Sequence, residues 1–305
     1  MNFWALISTI IFTWQLTAPA VYHLPILKLQ DKNQVLVSGQ VFDAQQTKIP
    51  HKVDNNSLGV KLTAQAAAVM DKNTGTVLWQ KNADEVRSLA SITKLMTALV
   101  FLDNNPGWDQ TLTMAKEDET GANSTNIFRD ETVSIKDAFY TMLIASDNDV
   151  ARALVRSTDL KSEEFVKLMN DKAKVLGLNQ TSFVDPTGLS AKNVSSANDI
   201  LILAKRAFSN PDIKNAASQK AYSFTTLDGK NHKINSTNHL LSGFLDIIAG
   251  KTGFITDSGY CLVAEIEGDN DQRIVSVVLG SASNADRFND LKILSAWTLN
   301  NFVWY

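Results

Sequence analysis

The chain has 305 residues, 44% hydrophobic and 20% charged, which supplies apolar material for a large core and leaves no stretch with a disordered composition. A net charge of -3, with lysines and arginines scattered along the chain, gives no basic field and excludes nucleic acid as a partner. The single cysteine, Cys261, excludes an intramolecular disulfide, and the four histidines, His23, His51, His232 and His239, lack paired ligand spacing, so neither a metal site nor a cofactor is expected.

In chain order, the first segment stands apart. No Lys, Arg, Asp or Glu precedes Lys28, the run from Phe3 to Trp14 is rich in Phe, Trp, Leu and Ile, and Ala18, Pro19 and Ala20 fit the small-residue rule for cleavage. Residues 1–20 are therefore expected to be an export signal to the periplasm or another extracytoplasmic part of the cell envelope. Thr13, Gln15, Thr17 and Pro19 leave fewer consecutive apolar residues than the roughly 18 to 20 of a spanning helix. If retained, the segment would instead associate the protein with the membrane as an anchor. Residues 21–60 read as a polar leader with one extended piece from Val35 to Val41.

From Ala66 the pattern becomes that of a folded domain. Ala66–Met70 and Thr76–Gln80 are strand-like around the turn Asp71–Gly75, which predicts a hairpin. Ile92, Leu95, Met96, Leu99 and Leu102 then recur at helical spacing, so a helix is expected to start at Ser91. Ser134 with Asp137 resembles a capping box ahead of Ile135, Ala138, Phe139, Met142 and Leu143, and that helix delivers the chain to Ser146. Two more helices follow, one carrying Phe165, Leu168, Met169 and Leu176 and stopping at Gly177, the other running from a Ser196–Asp199 cap through Phe208. Asp228-Gly229 predicts a two-residue hairpin between Tyr222–Thr226 and a run ending at Ile234. Lys251–Phe254, Tyr260–Ile266 and Arg273–Leu279 are strand-like, with a turn at Gly268–Asp271 and a closing helix over residues 285–303. Cys261 lies inside one of these apolar runs and reads as a core thiol.

Strands at both ends of a helical middle predict an α+β fold. One antiparallel sheet would be built from residues 61–90 and 215–305, with a helical lobe over about residues 91–214 inserted, the whole domain spanning 61–305. Ligand sites favour such a junction.

Three short motifs fall at that seam: Ser91-Ile92-Thr93-Lys94, Ser146-Asp147-Asn148 and Lys251-Thr252-Gly253. Taken alone, each is an ordinary N-cap, turn or strand start; their order and setting give them chemical meaning. A serine hydroxyl needs a base, no histidine lies near any of the three motifs, and Lys94 can serve if its pKa falls. An apolar surround, the positive end of its helix and the second cation Lys251 all push that way. The N–H of Ser91 at a helix start and that of Phe254 on the third-motif strand are candidate oxyanion donors. Gly253 has no side chain to obstruct a substrate, and Thr252 and Lys251 suit a substrate that ends in a carboxylate. Ser146 can relay a proton to a leaving amine, and Asn148 can hold a substrate amide or the lysines. Asp147 reads as a turn support.

These motifs, together with Ala90–Ala98, Phe183–Leu189, Ala249–Phe254 and Asp286–Asn289, make the chain from about Thr63 onward resemble the D-alanyl-D-alanine carboxypeptidases of the low-molecular-mass penicillin-binding proteins. The resemblance implies the penicillin-binding protein/β-lactamase-like fold. It also implies Ser91 as nucleophile, Lys94 as base, and Ser146, Asn148 and Lys251 as proton-transfer and binding groups. Arg287 is singled out by the resemblance alone, as a residue that helps hold the substrate's terminal carboxylate. The implied partners are peptidoglycan stem peptides as substrates, cleaved through an acyl-enzyme, and β-lactams as covalent inhibitors.

Many relatives carry a further β-rich domain and an amphipathic C-terminal helix, whereas this chain ends at Tyr305, one helix after the last strand. That shorter plan, with Pro186–Ser190 and Asn193–Ser195, is also similar to members that act as D,D-endopeptidases on peptidoglycan crosslinks. Three alternatives rank lower. A class A β-lactamase needs a deacylating glutamate, and the only glutamates between Ser146 and Lys251 are Glu163 and Glu164, neither followed by Asn four residues on. A non-catalytic peptide- or β-lactam-binding domain would not need the intact nucleophile and base. A metal-dependent peptidase lacks its ligands.

Overall fold

The computed structural model describes residues 29–31, 34–37, 40–43, 49–122, 125–269 and 272–304. The expected export signal over residues 1–20, most of the leader and the tip of the Gly268–Asp271 turn lie outside the described residues. The chain divides into two units, residues 1–47 and 48–305. In the first, Leu29–Asp31, Gln34–Val37 and Gln40–Asp43 form a three-stranded antiparallel sheet, so the single extended piece expected from Val35 to Val41 is two paired strands.

The second unit is organised by a five-stranded antiparallel sheet. Its strands are β1 (Ala66–Asp71), β2 (Val77–Lys81), β3 (Asp246–Ile255), β4 (Gly259–Glu267) and β5 (Arg273–Ser281), in the order β3-β4-β5-β1-β2. The N-terminal hairpin thus pairs with the C-terminal strands through β5 and β1, with Val277 opposite Ala68, as the α+β pattern requires. Alternation splits each strand between two cores, because successive side chains point to opposite faces. Ala67, Val69, Leu262, Ala264, Ile274 and Val278 pack against Phe288, Leu291 and Leu294 of helix α7 (Asn284–Asn301). Ala66, Ala68, Met70, Val263, Val275 and Val277 belong to a larger core shared with the helices.

Those helices are α1 (Lys94–Asp103), α2 (Ile135–Ile144), α3 (Asn148–Arg156), α4 (Ser162–Val175), α5 (Ala197–Phe208) and α6 (Pro211–Ala217). Every residue of α1 from Lys94 to Phe101 is buried, as its nearly continuous apolar sequence dictates for a helix enclosed on all sides. The expected caps are present: Ser134 Oγ accepts from Asp137 N–H at 3.1 Å, and Ser196 Oγ from Asp199 N–H at 3.1 Å. Helix α5, counted by sequence with the helical lobe, packs on β1, β4 and β5 as well as on α1, and so joins the two layers. Among the described residues no helix is long and apolar enough to cross a membrane.

Three boundaries differ from the sequence reading. The closing helix ends at Asn301, and Phe302–Val303 pair with His51–Lys52, a segment the sequence assigns to the leader. Asn55 and Ser57 also bond Asn301 and Trp297, so side-chain contacts across 240 and more residues, invisible to local patterning, hold residues 51–57 on the domain. The hairpin between Ala221–Thr225 and Asn231–Asn235 turns through Leu227–Gly229 inside a Thr226–Lys230 backbone pair, three residues where two were expected, with Gly229 at φ 86°.

Asp290 on α7 is the main polar tie between the elements. Its carboxylate accepts from Thr63 N–H, Thr63 Oγ1, Ala64 N–H and Ser281 Oγ at 2.7–2.9 Å. Asp290→Ala strands these donors, and urea unfolding is expected to register a loss of about 3 kcal/mol. A loss below about 1 kcal/mol would mean that this tie does not hold the helix to the sheet.

Candidate active site

Ser91 sits in a single 3₁₀ turn, Ala90–Thr93, that leads directly into α1, so it is not the N-cap of the α-helix and Lys94 is the first α-helical residue. Ala90, immediately before it, is held at φ 47°, a left-handed conformation that costs a non-glycine residue about 1–3 kcal/mol. The surroundings impose it: Leu89 N–H donates to Asn193 O at 2.9 Å, and Arg87–Ser88 pair with Val194–Ser195.

Lys94 is wholly buried, and its Nζ has three partners: Ser91 Oγ at 3.0 Å, Asn148 Oδ1 at 2.6 Å and Thr187 O at 2.7 Å. Burial lowers its pKa to about 7, against the upward pull of Asp147 and Asp185. The amine can keep all three contacts when it loses a proton. Two of the partners are acceptors only, matching two N–H bonds, and the lone pair is left to accept from the Ser91 hydroxyl.

The second motif occupies the corner between α2 and α3. Ser146 lies at φ 61°, and Asp147 caps α3 by accepting from Val150 N–H at 3.1 Å while also holding Asn126 N–H at 2.7 Å. Asp147 is therefore a support for the turn, as its position suggests. Burial pushes its carboxyl above the ordinary range, against the hydrogen bonds from Asn126 and Val150.

The third motif lies on β3, the edge strand of the sheet, where alternate N–H groups have no ladder partner. Lys251 Nζ donates to Ser146 Oγ at 2.7 Å and to Thr252 O at 3.0 Å, closing the link between the sheet and the helical layer. Burial, and then the neighbouring charges of Lys94 and Arg287, hold Lys251 well below the ordinary lysine range. The repulsion between the two lysines, expected from sequence to act on Lys94, thus falls on Lys251 and weakens its standing charge. Thr252 Oγ1 meets Thr237 Oγ1 at 2.6 Å.

Gly253 also lies at a close contact within the fold. A Cβ there would lie 2.7 Å from Leu89 O and 3.3 Å from both Ala90 Cβ and Ile92 Cγ1, so the glycine lets β3 dock against the Ser91 turn. Phe254, half-exposed, stacks on Tyr260 at 4.3 Å. Arg287, nearly buried, donates to Gly253 O at 3.1 Å and lies over the rings of Tyr260 and Phe288, so it braces β3 from α7.

The structure adds residues that the motif reading missed. The Thr187 carbonyl that receives Lys94 belongs to a loop folded around Asp185, whose carboxylate accepts from Thr187 N–H and Oγ1, Gly188 N–H and Ser190 N–H. Thr97 Oγ1 anchors the same loop through Pro186 O at 2.6 Å. Gly188, at φ 87°, packs so closely that a Cβ would collide with the Ala90 carbonyl. The pattern Asp185-Pro186-Thr187-Gly188 is the one sequence signal for this loop. Glu163 and Glu164 lie on α4, where Glu164 caps Lys161 N–H at 3.0 Å. Among the described residues no cluster of His, Cys, Asp or Glu could hold a metal.

A hydroxyl bonded to a buried lysine, faced by a second serine-lysine pair across a sheet edge, defines a serine acyl-transfer site. Residues 51–283 match the family described as D-alanyl-D-alanine carboxypeptidase. A D-alanyl-D-alanine endopeptidase of Haemophilus influenzae is 37% identical over 205 residues, 66% of this chain and 69% of that protein. One of Pseudomonas aeruginosa is 35% identical over 246 residues, 78% and 77% of the two chains. D-alanyl-D-alanine carboxypeptidase DacF of Bacillus subtilis is 34% identical over 231 residues, 73% and 59%. Among solved structures, the Streptomyces K15 DD-transpeptidase superposes with a TM-score of 0.75 at 27% identity, covering 80% of this chain and 100% of that one. Penicillin-binding protein D2 from Listeria monocytogenes in its cefotaxime-bound form gives 0.70 at 34% identity, over 79% and 99%. The chain belongs to the D-alanyl-D-alanine carboxypeptidase family of serine peptidases, with the penicillin-binding protein fold.

Gly253→Ala tests the docking of β3 on the Ser91 turn. It is expected to lower the rate of acylation about a hundredfold, the cost of an ångström-scale misplacement, while the folded state persists. A wild-type rate would show that the close approach has no bearing on the chemistry.

Proposed function

We propose that the protein is an exported serine-type D-Ala-D-Ala carboxypeptidase that trims peptidoglycan stem peptides through an acyl-enzyme on Ser91, and that β-lactams inhibit it by acylating the same hydroxyl. The observation that carries the reading is the hydrogen bonding of Lys94: two obligate acceptors leave its lone pair for the Ser91 hydroxyl. Lys94 takes the Ser91 proton as Oγ attacks the carbonyl of the penultimate D-alanine. The N–H groups of Ser91 and Phe254 receive the developing oxyanion. Ser146, in contact with Lys251, passes a proton to the departing amine, and Asn148 holds Lys94 and the substrate amide in register. Thr252, Lys251 and Arg287 supply hydrogen bonds and charge for the terminal carboxylate, with Gly253 keeping their strand against the nucleophile. Water then releases the acyl group.

Such a substrate places the enzyme outside the cytoplasm, in the periplasm or cell envelope, which agrees with the signal-like composition of residues 1–20. Membrane association would come from that segment if it is retained. A second reading, D,D-endopeptidase, is favoured by the names of the relatives at 37%, 35% and 32% identity. The chemistry is shared, and the leaving group differs.

Incubation with a stem pentapeptide and with crosslinked muropeptide dimers separates the two. Release of D-alanine from the pentapeptide with the dimers left intact is expected, and monomers alone would establish the endopeptidase. Ser91→Ala is expected to abolish both reactions together with covalent labelling by penicillin. A penicillin adduct mapped to any other residue contradicts the mechanism.

A further inference from the structure

Thr252 is buried, and among the described residues the one hydrogen bond of its hydroxyl is the 2.6 Å contact with Thr237 Oγ1. Two hydroxyls carry two protons and share only one of them in that contact. The protein therefore leaves one O–H donor without an acceptor, at the cleft edge of β3 and beside the third motif's lysine. The strand alternation puts Thr252 on the sheet face that packs against α7, the helix that carries Arg287; Leu262, its register partner, lies in that same core. A spare donor one residue from the Gly253 carbonyl that the Arg287 guanidinium holds fits an anionic oxygen.

Thr237 is itself held in place. Its N–H donates to Ile144 O at 3.1 Å, two residues ahead of Ser146, and the neighbouring Asn238 packs its amide against Gly250, where a Cβ would lie 2.5 Å from Nδ2. The segment 236–238 thus runs between the end of α2 and β3, and among the described residues its one side chain hydrogen-bonded to the third motif is Thr237.

We propose that Thr237 is a positioning residue for the substrate carboxylate. Its hydroxyl donates to Thr252 Oγ1, so the Thr252 proton is turned outward and given to the carboxylate that ends the substrate. This rests on the reading of the third motif as a carboxylate subsite. The direction of donation explains why a buried threonine would be paired with a second hydroxyl rather than with a carbonyl. A carbonyl would draw off the Thr252 proton; a donor releases it.

The test compares acylation by a penicillin and by its methyl ester, reagents that differ only in the charged carboxylate, for the wild type and for Thr237→Val, Thr237→Ser and Thr252→Val. Thermal unfolding of each variant reports folding. Thr237→Val is expected to lower the acid-to-ester ratio of second-order acylation constants about tenfold, the loss of one hydrogen bond to a charged group, and Thr237→Ser to restore it. A Thr237→Val variant that slows both reagents equally, or neither, overturns the assignment. If Thr252→Val leaves the ratio unchanged, the carboxylate subsite itself is wrong. If Thr252→Val lowers it and Thr237→Val does not, the subsite stands and the role of Thr237 falls.

Discussion

The burial of one amine organises this molecule. Lys94 Nζ ties together three segments that are far apart in sequence: the Ser91 turn, Asn148 at the start of α3, and the Thr187 carbonyl of the Asp185 loop. An ammonium ion in such a place would cost several kcal/mol of lost hydration. Burial answers that cost by lowering the pKa to about 7, which brings the neutral form within reach near neutral pH, with Asp147 and Asp185 limiting how far it falls. Much else in the domain follows from burying that group. Helix α1 is apolar on every side, the Asp185 loop is pinned to it by Thr97 as well as by Lys94, and Gly188 lets the loop lie against the backbone of Ala90 and Ser91.

The two serines share a second property. Each is at or next to a left-handed residue, Ala90 in one case and Ser146 itself in the other, and each such residue costs about 1–3 kcal/mol. Rigid neighbours offset this strain: paired strands and Asn193 on one side, the Asp147 cap and its bonds to Asn126 on the other. The sheet edge completes the arrangement, since Lys251 reaches Ser146 while Gly253 lets the strand come close to Ala90. The two lysines remain near enough to repel, and that repulsion adds to burial in holding Lys251 below the ordinary lysine range.

How much of this the sequence carries depends on the kind of interaction. Periodicity disclosed α1, α2 and the C-terminal strands because burial on one face or on all faces leaves a direct imprint on residue type. Ser91, Lys94, Ser146, Asn148 and Lys251 could be brought together on paper because side chains do their work. The Thr187 carbonyl could not, since a backbone acceptor has no residue-type signature. Thr237 has no signature either, since a lone threonine between two strands looks like any polar loop residue. The contact of Gly253 with Leu89 and Ala90 is hidden too, because a glycine reports that something is close without saying what. The pairing of residues 51–52 with 302–303, and of Asp290 with Thr63, joins the ends of the domain, where no local pattern reaches.

The most direct test is the titration of Lys94 itself. In protein labelled with ¹³C at the lysine ε-carbon, the Lys94 resonance is identified by its loss in Lys94→Arg and followed with pH by NMR. An inflection near pH 7 is the predicted result. A lysine that titrates near its ordinary value of 10.5 would contradict the account, because a protonated Lys94 cannot accept the Ser91 proton.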